Sequence, residues 1–217
     1  AIFGGGVGNV TPLSTLDEAA AGGTYLNSST ITTIGAQDYS GAVTLGADVT
    51  LTSAGGNIVF NSTVDSAAGA PRSLAISAGG GATTFGGSVG AVNVLSALAV
   101  NGGANLNGGA INTTGAQDYN GAVVLGAHAI LSSFDFSDIT FDSTVNGAHS
   151  LAINAAGTVV FGGGVGAVNV LSALAVNGNA NLNGGTIITT GAQDFNGAVV
   201  LGADTALTSA GGNIVFD

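Results

Sequence analysis

Residues 115–127 read Gly-Ala-Gln-Asp-Tyr-Asn-Gly-Ala-Val-Val-Leu-Gly-Ala, and nearly the same block occurs at 35–47 and at 191–203. The three copies begin at Gly35, Gly115 and Gly191, so their spacing is nearly constant. Recurrence at a fixed period is the sequence signature of a repeat architecture. The chain is therefore predicted to be an array of stacked units rather than one conventional globular core.

A shorter period runs inside this super-repeat. An aromatic residue or Leu, followed by small residues and then Val or Ile, recurs at intervals of about 21 residues, with one short interval of 13 in each super-repeat, as from Leu106 to Tyr119. Four such units make one super-repeat of about 76–80 residues. Its approximate copies are 1–34 (partial), 35–114, 115–190 and 191–217 (partial). The short unit has two interpretations: a coil with one side cut short, or an anchor residue that falls on a different face.

Inside each unit, apolar residues alternate with small or polar ones, as at Val43 and Leu45. Period-two alternation is typical of short strands with one buried face. Gly-Gly pairs such as Gly55-Gly56 separate the strands, where the chain must turn sharply. This pattern predicts an all-β fold, a parallel β-helix (β-solenoid) with one unit of about 21 residues per coil.

Stacked coils would place the anchor residues over one another. Twelve anchors can be counted in the sequence, and at ~4.8 Å per rung they predict a rod on the order of 50 Å long. We expect the aromatic anchors to join Leu residues in one buried core ladder. The aromatic members are Tyr39, Phe60, Phe85, Tyr119, Phe141, Phe161, Phe195 and Phe216.

Composition excludes several functions. Arg72 is the single Lys or Arg against twelve acids, and the formal net charge is -11. Because the chain has no lysine to neutralise phosphates, we expect it to bind neither nucleic acid nor anionic membranes. Its apolar runs are also shorter than the ~20 residues that a transmembrane helix needs.

Two departures from the repeat are candidate contact sites. Residues 65–72 lengthen the unit that runs from Phe60 to Phe85, and they include Arg72. Arg72 is either a carboxylate or anion contact on a protruding loop, or part of a solvated insertion paired loosely with Asp65.

The second departure is Phe134-Asp135-Phe136-Ser137-Asp138, which stands where the first and third copies read Ser-Ala-Gly-Gly-Asn. Its aromatic residues form either an exposed platform for a sugar ring or a partner, or a one-residue bulge that covers a gap in the core.

Two further polar groups invite a functional interpretation. His128 and His149 are separated by one unit length and are expected on neighbouring coils, where they could bind a metal or sense pH. Asp48 takes the place of His128 in the first copy, which favours a corner that simply accepts a polar residue. Asp17 and Glu18 are predicted to lie in a solvated loop.

No set of residues in the sequence indicates catalysis. There is no Cys, no Ser/His/Asp set and no repeating cluster of acids of the kind that sugar-cleaving β-helices need. We therefore predict no catalytic residue, no cofactor and no metal site, and we predict that the protein is not an enzyme.

The block at 115–127, with Leu-Thr-Ser-Ala-Gly-Gly-Asn-Ile-Val-Phe at 51–60, resembles the tandem repeats of large bacterial surface adhesins of the filamentous-haemagglutinin or autotransporter kind. The resemblance covers essentially the whole chain. It implies export to the cell surface, a right-handed parallel β-helix and a role as stalk, adhesin or matrix fibre.

The predicted function is thus a non-enzymatic extracellular structural or adhesive protein. The expected partners are a glycan or surface receptor, neighbouring repeats of a longer chain, or further copies that stack end to end on uncapped coils. The alternatives are a functional amyloid of a biofilm matrix and, less favoured, a carbohydrate-binding or carbohydrate-active β-helix.

Overall fold

The fold is a parallel β-solenoid. A computed structural model describes residues 1–19 and 22–217. Within these residues every regular element is a β-strand, and strands stacked about 21 residues apart form about 10 turns. This confirms the predicted fold class. At about 4.8 Å per turn the rod is about 48 Å long.

The strands are short except for four that bend around a corner. In chain order they are β1 (Ile2–Phe3), β2 (Leu16–Glu18), β3 (Thr24–Leu26), β4 (Thr30–Thr33), β5 (Gln37–Tyr39), β6 (Val43–Leu45), β7 (Val49–Ser53), β8 (Ile58–Phe60), β9 (Val64–Ser66), β10 (Ser73–Phe85), β11 (Ala97–Leu106), β12 (Ala110–Thr113), β13 (Gln117–Tyr119), β14 (Val123–Leu125), β15 (Ala129–Ser133), β16 (Ile139–Phe141), β17 (Val145–Asn146), β18 (Ser150–Phe161), β19 (Ala173–Leu182), β20 (Thr186–Thr189), β21 (Gln193–Phe195), β22 (Val199–Leu201), β23 (Ala206–Ser209) and β24 (Ile214–Phe216).

Each coil has three sides, and each side pairs in parallel with the same side of the next coil. Face 1 holds β1, β3, β6, β9, β12, β15, the first halves of β18 and β19, β21 and β24. Face 2 holds β4, β7, the first halves of β10 and β11, β13, β16, the second halves of β18 and β19, and β22. Face 3 holds β2, β5, β8, the second halves of β10 and β11, β14, β17, β20 and β23. Single bridges at Val89 on face 1 and Val165 on face 3 continue the ladders.

The alternation in the sequence becomes the division between inside and outside. In most strands buried residues alternate with more exposed ones, as in β6 and β8. The inward residues of all three faces form one continuous core of Val, Ile, Leu, Phe and Tyr along the rod. Burial of this apolar surface stabilises the stack of coils.

The super-repeat does not contain a whole number of turns. Tyr39 pairs with Phe60, Phe60 with Phe85 and Phe85 with Leu106, which makes three turns on face 3. Tyr119, the next anchor, lies on face 2, where it pairs with Val100. The short interval therefore arises because the next anchor residue lies on another face, two-thirds of a turn further along the chain. The block of residues 115–127 and its two copies thus lie on three different faces.

This offset corrects the expected single ladder. The aromatic residues form three separate stacks with ring centroids 5.2 to 5.5 Å apart: Tyr39–Phe60–Phe85, Tyr119–Phe141–Phe161 and Phe195–Phe216. Seven of these rings are buried, whereas Phe216 in the last coil is 56% exposed. In the described residues the aromatic rings stack within a copy of the super-repeat, but not between copies.

Each copy also buries a polar corner that the sequence did not lead us to expect. Gln117 is completely buried, and its Nε2 donates hydrogen bonds to Ser132 O at 2.9 Å and to Thr113 Oγ1 at 3.2 Å. Its Oε1 accepts a hydrogen bond from the Tyr119 hydroxyl at 3.1 Å. Gln37 and Tyr39 repeat this arrangement on face 3.

In the third copy Phe195 replaces the tyrosine, so the buried Oε1 of Gln193 has no hydrogen-bond partner. The amide of Gln193 keeps the equivalent Nε2 bond to Thr208 O at 2.8 Å. A buried amide oxygen without a donor is energetically costly.

Candidate contact edge

The corner at residues 134–138 joins β15 on face 1 to β16 on face 2. Its two aromatic side chains point out of the rod, since Phe134 is 54% and Phe136 is 88% exposed. Phe136 has φ +49°, which makes it the one non-glycine residue with positive φ in the described chain. For a bulky side chain this backbone conformation is strained.

Hydrogen bonds hold this strained corner to its neighbours. The amides of Phe134 and Asp135 donate to Thr113 O and Thr114 O one coil below, at 3.2 and 2.7 Å. The Asp138 carboxylate accepts the Thr158 amide one coil above, at 2.7 Å. The corner is therefore pinned on both sides, and the aromatic side chains are presented from a fixed backbone.

The same corner is ordinary in the other two copies. There the serine hydroxyl accepts a glycine amide, from Gly56 to Ser53 at 2.8 Å and from Gly212 to Ser209 at 2.9 Å. In the middle copy Ser133 Oγ instead donates to Ser137 O at 3.0 Å. The one-residue bulge that the sequence suggested is present, but the idea that its aromatics cover a gap in the core is wrong, because both are exposed.

The lengthened unit forms a loop at residues 67–72, between β9 on face 1 and β10 on face 2. The predicted pairing of Arg72 with Asp65 is absent, since the Asp65 carboxylate accepts the amides of Val92 and Asn93 at 2.9 and 3.1 Å. Among residues 1–19 and 22–217, no ion pair involves Arg72, and its Nε is buried without a hydrogen-bond partner.

The two departures lie on the same edge of the rod, where face 1 meets face 2. The Ser96 amide donates to Arg72 O, and the Gly115 amide donates to Ser96 O one coil higher. The next coil contributes Asp135, whose amide bonds Thr114 O. The loop and the aromatic corner are thus three coils apart, about 14 Å along the axis. We call the line from Arg72 through Ser96 and Gly115 to Phe134 and Phe136 the contact edge.

Acidic residues surround the upper end of the contact edge. Asp118 lies on β13 directly below β16, which Asp138 and Asp142 flank. Burial raises the pKa of the Asp118 carboxyl, and the negative charges of Asp142 and Asp138 raise it further. This part of face 2 is therefore electronegative, while Arg72 supplies a positive charge at the lower end.

The two histidines are neighbours on adjacent coils, as their spacing predicted, with ring centroids 5.3 Å apart in an edge-to-face arrangement. Nδ1 of His128 accepts the Ser150 amide at 3.1 Å. Asp48 accepts the Ser73 amide at 2.8 Å in the equivalent place. His128 thus caps the next strand, as Asp48 does. Within the described residues, no three His, Cys, Asp or Glu side chains are grouped so as to hold a metal ion.

The expectation of a solvated loop at Asp17 and Glu18 is wrong. Both residues belong to β2 on face 3, and Glu18 is only 6% exposed. Thr24 Oγ1 donates a hydrogen bond to the Glu18 carboxylate, and the amino terminus lies 4.0 Å from it. Glu18 pairs in register with Tyr39, so it occupies the first rung below an aromatic stack.

The breaks in the repeat predicted both ends of the contact edge, but not that the two ends share one edge of the rod. The available signal was the short unit from Leu106 to Tyr119, because a spacing of two-thirds of a coil moves every later residue to another face. That spacing alone did not distinguish a shortened coil from a change of face.

The chain matches no protein-family model, no curated protein and no solved structure. The resemblance to adhesin repeats therefore supports only a proposal about function, whereas the strand pairing itself shows the β-solenoid fold. No helix in the described part of the chain is long and apolar enough to span a membrane.

Proposed function

We propose that this protein is a non-enzymatic extracellular rod with a structural and adhesive role at a cell surface or in a matrix. The observation that carries the adhesive role is the corner at 134–138, where Phe134 and Phe136 are exposed on a strained turn. The resemblance of the repeats to those of bacterial surface adhesins supports the extracellular location.

The regular stacking of the coils supports the structural role. Between the first and last coils, each strand pairs with the coil below and the coil above, and the side chains beneath form one uninterrupted core. In such a solenoid each coil contacts only its neighbours, so further coils lengthen the rod without changing the structure of the other coils. Length and stiffness are the properties that a stalk or matrix fibre requires.

The adhesive role is supported by the corner at 134–138, whose sequence does not favour the stability of the fold. The exposed Phe134 and Phe136 side chains add nothing to the core, and the positive φ of Phe136 strains the backbone. The other copies show that Ala and Gly suffice there. Strained backbone and exposed apolar side chains concentrate at binding sites. Flat aromatic faces beside the Asp135 carboxylate fit a sugar ring, with the carboxylate accepting hydrogen bonds from its hydroxyls.

A repeat-swap variant tests this proposal. Residues 134–138 are replaced by Ala-Gly-Gly-Asn, the sequence that follows Ser53 and Ser209, and both proteins are applied to a glycan array. We expect the wild-type chain to bind a subset of glycans and the swap variant to lose that binding with unchanged or higher thermal stability. If both proteins give the same array, or if the wild-type chain binds no glycan, the corner is not a glycan contact.

Self-association along the axis is the second part of the proposal. Neighbouring coils pair in parallel along the rod, and aromatic rings stack from coil to coil at 5.2 to 5.5 Å. The same pairing can join this rod to a neighbouring repeat or to another copy. Small-angle scattering at rising concentration should show particles that lengthen at constant cross-section, whereas monomers of constant length at every concentration would exclude self-association.

A further inference from the structure

We propose that the contact edge binds one linear oligosaccharide that lies along the rod axis, with a single carboxylate at Arg72 and a sugar ring on Phe134 and Phe136. This inference rests on the proposed glycan contact and adds to it the direction, the charge and the second anchor of the ligand.

Arg72 supplies the second anchor on the same edge. It is the only Lys or Arg in a chain of net charge -11, it is half-buried, and no ion pair involves it in the described residues. A guanidinium recognises a carboxylate through charge-assisted hydrogen bonds. The twelve acids of the chain repel a polyanion, so the ligand carries one negative charge rather than many.

The surface between the anchors leaves room for a chain. Ser96, Thr114 and Gly115 occupy the intervening corners and are half-buried, with no side chain larger than Thr. Beside the lower anchor a surface recess is lined by Ala67, Gly69, Pro71, Val92, Asn93 and Val94. The path from Arg72 to Phe134 rises three coils, about 14 Å, which a short oligosaccharide can span.

Backbone hydrogen bonding favours a sugar over a peptide. A peptide gains affinity on a β-fold by pairing with a free strand edge. Here the amides of Ser96, Gly115 and Asp135 already bond the coil below, and the strands run across the rod axis. A peptide lying along the edge would leave its own amides without main-chain partners, whereas sugar hydroxyls can bond the Ser96 and Thr114 hydroxyls, the Asp135 carboxylate and water.

The test uses linear oligosaccharides of three to five rings that end in one uronic or sialic acid. Each is printed on an array beside the same sugar with its carboxylate reduced to the alcohol. For at least one pair, the wild-type chain should bind the acid at least about tenfold more tightly than the alcohol, as expected for a charge-assisted hydrogen bond. Arg72→Gln should bind both forms at the level of the alcohol.

Two further variants separate the possible outcomes. Phe134→Ala combined with Phe136→Gly should lose both forms, and Val168→Ala, an exposed valine in a loop on face 3, should bind as the wild type. Circular dichroism confirms that each variant is folded. Equal binding of acid and alcohol by the wild-type chain would overturn the role of Arg72 and leave the glycan contact intact.

If no sugar of either form binds, the proposed glycan contact fails as well. Acidic peptides with one carboxylate are printed on the same array, and binding of these peptides without binding of sugars would overturn the choice of an oligosaccharide.

Discussion

The hydroxyl of Tyr119 should stabilise the fold through one buried hydrogen bond, and Tyr119→Phe removes only that hydroxyl. The hydroxyl donates to Gln117 Oε1 at 3.1 Å, and both side chains are 0% exposed. No other donor to this oxygen is present in the described residues. The variant would therefore leave Gln117 Oε1 without a hydrogen-bond donor, as Phe195 already does for Gln193 in the third copy.

The expected cost is about 1–3 kcal/mol in the free energy of unfolding, the range for a buried acceptor that loses its donor. The reverse substitution, Phe195→Tyr, should add about 0.5–1.5 kcal/mol, the net value of a typical hydrogen bond. Its ring is already placed for this, because Phe195 stacks on Phe216 at 5.3 Å and Tyr119 stacks on Phe141 at 5.2 Å.

Equilibrium urea unfolding of both variants measures these changes, provided that the m-value stays constant. Tyr25→Phe is the matched control, since the hydroxyl of this partly exposed tyrosine makes no hydrogen bond within the described residues. Its effect should stay within about 0.5 kcal/mol. If Tyr119→Phe behaves like this control and Phe195→Tyr is not stabilising, the hydroxyl does not satisfy the glutamine and the reasoning is refuted.

Three further predictions concern backbone, phenols and charge. Gly90→Ala should lower the free energy of unfolding by at least about 2 kcal/mol, because the φ of Gly90 is +65° and a Cβ there would lie 2.2 Å from a backbone oxygen. The control is Gly80→Ala, which has no atom within 4 Å of the added Cβ and should be nearly neutral in urea unfolding. Burial raises the pKa of the Tyr39 and Tyr119 phenols above the usual 10.0. Both phenols should therefore stay un-ionised past pH 10.0 when absorbance at 295 nm is followed during titration. The free energy of unfolding should fall above that pH, because the same phenols ionise in the unfolded chain but not in the folded one. Normal titration of all tyrosines would contradict this. Asp118→Asn should raise the melting temperature at neutral pH, because the raised pKa shows that the charged form is disfavoured in the fold. The gain should vanish at a pH low enough to protonate Asp118, and an equal gain at all pH values would point to another cause.

Local signals predicted the strands and the coil length well. Alternation at Val43 and Leu45 and the Gly-Gly pairs set the strands and corners, because side-chain direction in a strand depends only on neighbouring residues. The exposure of Phe134 and Phe136 could not be predicted, because the same residues could have filled a gap in the core. The burial of Gln117 was also missed, since a lone Gln beside an Asp carries no sign that its partners come from other coils.

By itself, the sequence determined that this protein is a stack of β coils, that three copies of one block recur, and that the recurrence breaks at 65–72 and 134–138. Tertiary pairing decided which residues share a face, because strand register fixes how far the chain turns between copies. A super-repeat of three and two-thirds turns placed the block of residues 115–127 and its copies on three faces. The same register brought Arg72 and the aromatic corner onto one edge.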